Sequence, residues 1–239
     1  MCAPLTAPAS TNRLNFPAMP LEIELKLSFP AEALPTIMRH PLIASAPIEG
    51  TPGVLDNTYF DTPAFALRAR KIALRLRRQG AEMLQTVKRA TVSSGGLTRR
   101  PEWEQPWRGQ FDFSGIDDPE AAALLTRVRD ELVPVFTTRF HRDTRRFQPH
   151  SGALILAMID TGLIEVDGEA GGRNATIHEL ELELVEGSEE ALLRLADELK
   201  KDLPLLPEDA SKAQRGYMLA AEQFQRDESR TTQGMSCQT

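Results

Sequence analysis

The chain has 239 residues, 41% of them hydrophobic, enough apolar surface for the core of one large domain or two small ones. A formal net charge of −6 argues against non-specific nucleic-acid binding driven by bulk charge. The two cysteines, Cys2 and Cys237, stand at opposite ends of the chain, which fits neither a disulfide framework nor a thiolate zinc site of the usual spacing, and agrees with a reducing compartment.

Residues 1–19 are rich in Ala, Pro, Thr and Ser and lack both periodicity and the apolar run of a signal peptide, so a disordered leader is expected. Glu22-Ile23-Glu24-Leu25-Lys26-Leu27 alternates charged and apolar residues, as a strand with two unlike faces does. A helix over about 31–40 contains Pro35. Ala73–Arg77 alternates cleanly and Leu84–Lys88 more weakly. Ser93-Ser94-Gly95-Gly96 reads as a flexible hairpin connection, and Arg100–Gln105 as the next strand. Asp118-Pro119 before EAAALLTRVRDEL supplies a cap and a proline at the first helical position. Thr137–Phe147 and Leu154–Asp160 read as strands, and Glu179–Val185 is the clearest alternation of all. Ser188 before EEALLRLADELKK caps a helix with early acids and late lysines. Residues 208–224 form a third helix, and 226–239 are expected to be a disordered tail. The ordered body is then 20–225, mostly antiparallel strands with helices around them. No apolar run is long enough to span a bilayer, and a cytoplasmic location is expected.

The charged strand faces hold the chemistry. Glu22, Glu24 and Lys26 share one face, and Glu179, Glu181 and Glu183 share another. Like charges on one face repel unless water or a cation neutralises them; two acidic strands facing each other would hold a hard divalent cation through carboxylate oxygen. Arg75 and Arg77 share a face, as do Thr86 and Lys88, and Arg100 lies with Glu102 and Glu104. Arginine forks match phosphate oxygens and lysine adds a point charge. A closed sheet carrying acidic and basic strands would suit a polyanion bound with its metals; ordinary inter-strand salt bridges on a wet surface fit the same pattern. No GxxxxGK[ST] loop is present, the four histidines lack zinc-ligand spacing, and Trp103 and Trp107 read as packing residues.

Taken together and in order, the motifs resemble the CYTH superfamily, the triphosphate tunnel metalloenzymes. Glu22-x-Glu24-x-Lys26 resembles the family's ExExK signature, Tyr59-Phe60-Asp61-Thr62-Pro63 its Y-[FY]-[DE]-T-P segment, Ala73–Arg77 its ALRxR strand and Thr86-Val87-Lys88 its TxK strand. Gly95-Gly96-Leu97 with Arg100-Pro101-Glu102 resembles the GGL…RPE of bacterial inorganic triphosphatases. Arg142 matches a mid-chain arginine, Asp160-x-Gly162 the DxG turn, Glu179–Glu183 the late ExExE strand, and Ser211–Tyr217 the SKxxRGY helix.

The resemblance implies an α+β fold, a closed eight-stranded antiparallel β-barrel with surrounding helices and a charged lumen. It implies that Glu22, Glu24, Glu181 and Glu183, with Glu179 and Asp160, bind Mg2+ or Mn2+. It implies that Lys26, Arg75, Arg77, Lys88, Arg100, Arg142, Lys212 and Arg215 hold phosphate oxygens, with Glu22, Glu24, Lys26, Arg75 and Arg77 at the reacting centre. The implied reaction is metal-dependent hydrolysis of inorganic triphosphate, with Glu102 or Glu104 orienting water. The same motifs occur in class IV adenylate cyclases, thiamine triphosphatases and RNA triphosphatases, and a non-catalytic polyphosphate- or nucleotide-binding module would keep every charged motif. The expected partner is a small-molecule triphosphate, with no nucleic acid or membrane, on a monomer or homodimer. Many bacterial relatives carry a following histidine-rich helical domain; the expectation here is the tunnel domain alone.

Overall fold

The computed structural model describes residues 21–149, 152–168 and 171–236, with side chains through Arg226; the expected leader and both cysteines lie outside them. The strands are β1 (Leu21–Ser28), β2 (Gly53–Asp61), β3 (Ile72–Gln79), β4 (Glu82–Arg89), β5 (Leu97–Pro106), β6 (Val133–Phe147), β7 (Leu154–Val166), β8 (Arg173–Glu186) and β9 (Leu206–Pro207). The helices are α1 (Leu34–Arg39), α2 (Pro41–Ser45), α3 (Ala66–Ala69), α4 (Pro119–Arg127), α5 (Glu189–Asp202) and α6 (Lys212–Ser236).

All strand pairs are antiparallel, in the order β5-β4-β3-β2-β6-β7-β8-β1, and β1 pairs back onto β5, so eight strands close into a barrel. Short β9 continues along β1 where β5 leaves off, through Leu27↔Pro207. The alternation read in the sequence decides what faces where. Leu25 and Leu27 of β1 and Leu180 and Leu182 of β8 point outward, buried with Leu192, Ala196 and Leu199 of α5 and with Ile37 and Ile43 of the first helices. Leu74 and Val87 point outward under α4, with Leu124, Leu125 and Phe113. The apolar core therefore lies outside the barrel wall, and each fully buried leucine or isoleucine contributes roughly 1.5–3 kcal/mol there. The charged faces are left for the lumen.

At one end the lumen is apolar instead. Tyr59, Phe136, Phe140, Ile164 and Ile177 pack with Tyr217 and Ala220 of α6, which crosses this end of the barrel. The approach is close: a β-carbon on Gly216 would lie 2.1 Å from the Phe136 ring.

Several expected boundaries move. The helix over 31–40 is a 3-10 turn, then α1, then α2, because His40 precedes Pro41 and is driven to ψ 132. The caps stand as expected: Asp118 accepts from Glu120 N and Ala121 N, and Ser188 accepts from Ala191 N. The helix after Asp118 ends at Arg127, short of the expected Leu132. The helix expected over 208–224 begins at Lys212 and runs to Ser236, into the segment expected as a tail; once nucleated, a helix lengthens at little cost. Asp160-x-Gly162 is no turn but the middle of β7. Glycine is required there because a β-carbon would lie 2.2 Å from Arg139 O and 2.5 Å from Phe140 Cα on the neighbouring strand. Strand β2 is absent from the alternation reading, since its inward face mixes Leu55, Asn57, Tyr59 and Asp61.

Candidate active site

The lumen holds a cavity of about 950 Å³ lined by charged side chains from β1, β3, β4, β5, β6 and β8. The two acidic strands are hydrogen-bonded neighbours rather than facing walls: Glu24 stands opposite Glu183, and Lys26 opposite Glu181. This corrects the expectation that they oppose each other across the sheet. Basic strands flank them, with Glu22 opposite Arg100 and Lys88 opposite Glu102.

Three groups of residues result. In the first, the Glu22 carboxylate accepts from Lys88 Nζ at 2.8 Å and from Arg100 Nε at 2.7 Å. Glu24 accepts from Arg100 at 2.7 Å and from Lys26 at 3.1 Å. Burial raises the Glu22 carboxyl, but Lys88 and Arg100 outweigh it and hold it well below the usual range. Glu102, 2.9 Å from Lys88, goes the other way: burial and the Glu22 charge raise it against the pull of Lys88. The Glu183 carboxyl makes no hydrogen bond or ion pair with any described residue. Burial, with Glu22 and Glu102 adding repulsion, pushes it up to about 7.

The second group surrounds the start of α6. Asp160 and Glu179 are fully buried. Asp160 takes a two-pronged bond from Arg142 at 2.7 and 2.6 Å. Lys212 Nζ lies 2.8 Å from Asp160, 2.7 Å from Glu179 and 2.9 Å from Glu181, and 5.0 Å from the Phe140 ring centre. Arg142 also reaches Glu181 at 2.7 Å, and Arg215 donates to Glu179 and to the Thr176 carbonyl. Burial lowers Arg142 and Lys212, but these carboxylates outweigh it and raise both above their ordinary values.

The third group is Arg75 and Arg77 on β3. Arg75 is buried, its Nε has no hydrogen-bond partner, and its nearest carboxylate is Glu102 at 3.8 Å. Arg77 donates Nε to Asn57 Oδ1 at 3.0 Å, and burial together with Arg75 and Arg142 pushes it down to about 10. Glu104 accepts from Thr86; burial raises it, yet Arg77 and Arg75 hold it below the usual range. Here cations face the cavity with fewer acids than they could bind.

The structure thus brings every expected site residue to the lumen or to the α6 end of it. It splits the expected metal set: Asp160, Glu179 and Glu181 are bonded to Lys212, Arg142 and Arg215, and Glu22 and Glu24 to Lys88, Arg100 and Lys26, whereas Glu183 is unpaired and is raised by burial, by Glu22 and by Glu102, which lies outside that set. An unpaired buried carboxyl, Glu183, beside Glu22 and Glu102 suits a divalent cation, which prefers carboxylate oxygen. Among the described residues no preformed cluster of metal-ligating side chains is found. Glu102, expected only to orient water, stands in this acidic group, and Asn57, outside the expected set, holds Arg77 and donates to Thr138 Oγ1 at 3.0 Å. A mixed strand such as β2 gives no periodic signal for such a residue.

Ser93-Ser94-Gly95-Gly96 connects β4 to β5 as expected, but it is tied down: Ser93 Oγ and Gly96 N both donate to Asp209, at 2.7 and 2.8 Å. Trp103 packs in the outer core and donates to Asp117. Among the described residues no helix is long and apolar enough to cross a membrane.

Known proteins share this architecture. An inorganic triphosphatase of Haemophilus influenzae is 29% identical over 184 residues, covering 72% of this chain and 48% of that protein. The chain spans about half the length of that curated relative. HpAC1 of Hippeastrum, an adenylyl cyclase candidate described as having a dominant triphosphatase activity, superposes with a TM-score of 0.53 at 25% identity, over 80% of this chain and 92% of that one. A candidate adenylate cyclase of Bacillus halodurans, 20% identical, shares the fold with a TM-score of 0.53 over 82% of this chain and 98% of that one. Residues 20–217 match the CYTH domain, and the chain belongs to the CYTH domain family.

Proposed function

We propose that this chain hydrolyses inorganic triphosphate to pyrophosphate and phosphate inside the barrel. The observation that carries the reading is the pair Arg75 and Arg77, lining the cavity with no carboxylate closer than 3.8 Å, together with the unpaired Glu183 on the same cavity. A polyanion accompanied by a cation complements both. The relatives support the same class, since one is an inorganic triphosphatase and another has a dominant triphosphatase activity.

In this reading Arg75 and Arg77, with Lys88, Arg100 and Arg142 beside them, hold phosphate oxygens by forked, charge-assisted bonds. They align the chain for in-line attack and stabilise charge growing on the leaving pyrophosphate. Arg77 is already less costly to satisfy with an anion than to leave among Arg75 and Arg142. Glu104, ionised beside Arg75 and Arg77, accepts a hydrogen bond from the attacking water and orients it. Glu22 and Glu183, with Glu24, Glu181 and Glu102 around them, would hold Mg2+ or Mn2+, which when bound supplies Lewis acidity and offsets phosphate charge. Lys26, Lys212 and Arg215, already bonded to acids, keep the walls and α6 in place around the substrate.

The test is phosphate release from inorganic triphosphate, ATP and thiamine triphosphate, with Mg2+, with Mn2+ and with a chelator. Metal-dependent release with a clear preference for inorganic triphosphate is expected. Release from none of the three, alongside cyclic AMP formation from ATP or tight triphosphate binding without turnover, would sink the proposal.

A further inference from the structure

The two ends of the cavity are unlike. Antiparallel pairing places the β2–β3 connection, the β4–β5 connection and the start of α6 at one end, and the β3–β4 turn at Gly80 and the start of β1 at the other. At the first end the cavity runs out past Arg68, Lys71 and Val92. Arg68 and Lys71 are exposed there, and neither side chain is hydrogen-bonded or ion-paired to an acid among the described residues. The lumen bases deeper in, apart from Arg75 and Arg77, already hold carboxylates, so these two are the free cations of the rim.

Their placement is built. Asp61, fully buried, accepts from the backbone N–H groups of Thr62, Leu67 and Arg68 at 2.7, 2.8 and 2.9 Å, which pins the β2–β3 connection. The Arg68 guanidinium lies 5.8 Å from the ring centres of both Phe65 and Tyr217, which props it at the rim while leaving its N–H groups for a ligand. Lys71 has φ 59 and Phe65 φ 56, the two non-glycine residues in the left-handed region among those described. Glycine would be easier at both positions, yet each has a side chain that makes a contact. Phe65 reaches Tyr217; Lys71 reaches the cavity rim.

Resting on the reading of the lumen above, we propose that Arg68 and Lys71 hold the phosphates of a linear polyphosphate that extend beyond the three seated on Arg75, Arg77 and Arg142, so that the site accepts inorganic tetraphosphate and longer chains. Lys71 stands in the turn before β3, four residues from Arg75, a separation of at most roughly 13 Å at the rise of a strand. A triphosphate seated on Arg75 and Arg77 ends short of it; a longer chain crosses the rim between the two cations. A fourth phosphate there meets a forked donor and a point charge with no acid to displace. The contact is exposed and so weakens with salt.

The experiment compares kcat and KM for inorganic tri-, tetra- and longer polyphosphate in the wild type, Arg68→Gln, Arg68→Lys and Lys71→Gly. The expected result is that Arg68→Gln and Lys71→Gly raise KM for tetraphosphate and longer chains about tenfold each, the size of one charged contact, with triphosphate changed less than about twofold. Arg68→Lys should recover part of the loss, and Lys71→Gly should melt no lower than wild type because it relieves backbone strain. Equal losses on all chain lengths, or no loss on any, would overturn the assignment. If the wild type turns over none of these substrates, the lumen reading fails by itself. Calorimetric titration with tri- and tetraphosphate then decides the rim: tetraphosphate binding more tightly than triphosphate, and losing that margin in Arg68→Gln, upholds it, and equal affinities reject it.

Discussion

One lumen contains two buried charge clusters, and they differ in kind. Around the start of α6, Asp160, Glu179 and Glu181 meet Arg142, Lys212 and Arg215, and each charge finds an opposite within about 3 Å. Around β3 and the start of β1, Arg75 has only Glu102 at 3.8 Å, Arg77 stands beside Arg75 and Arg142, and Glu183 is unpaired next to Glu22 and Glu102. Burying a charge is costly, and opposed partners offset most of that cost. The first cluster is therefore a clamp that ties a helix to a barrel. The second leaves the cost at Arg77 and Glu183 unmet until something of the opposite sign arrives, which is the condition of a binding site. Sequence motifs assign the two clusters the same role; their partners separate them.

The comparison breaks most readily at Lys212. Lys212→Met should remove the cation shared by three buried carboxylates, leaving them only Arg142 and Arg215, and lower stability by roughly 3–5 kcal/mol, read as a fall in denaturation midpoint. A stable Lys212→Met protein would mean that the clamp is not one. Arg75→Ala or Arg77→Ala should do the reverse: kcat/KM for triphosphate falls about 10²- to 10³-fold, or ~2.7–4 kcal/mol, while the melting temperature stays level or rises. Loss of stability in those variants would make the open cluster structural.

Ligand sharpens the contrast further. Triphosphate with Mg2+ at a hundred times its Kd should stabilise the fold by about 2.7 kcal/mol, and Arg75→Ala should lose most of that gain. The smallest effect is in pH. The Glu183 carboxyl sits at about 7 in the folded protein against 4.5 ordinarily, so the folded state holds an extra proton between those values. Without metal, stability from this group is complete below the lower value and is lost as pH rises through about 7, by ~1–2 kcal/mol after allowance for water in the cavity. Glu183→Gln should flatten that decline in a thermal-melt series from pH 5 to about 8. Metal affinity should climb over the same window, because binding needs the carboxylate.

Much of this was legible along the chain, and for one reason: a strand side chain alternates with period two, so Glu22/Glu24/Lys26, Arg75/Arg77 and Glu179/Glu181/Glu183 declare shared faces without a structure. The caps Asp118 and Ser188 were legible because capping is local. Strand β2 was not, since its inward face interleaves polar Asn57 and Asp61 with Leu55 and Tyr59 of the apolar end. Nor was the place of Gly162, whose need for no β-carbon comes from Phe140 on another strand. The sequence by itself determined which residues share each charged face, and the order of motifs that marks the family. Only the tertiary structure decided that those faces turn inward, that the two acidic strands are neighbours, and which acid each base holds. Those are matters of closure and register between segments as distant as Glu22 and Lys88 or Glu179 and Lys212, and no local spacing encodes them.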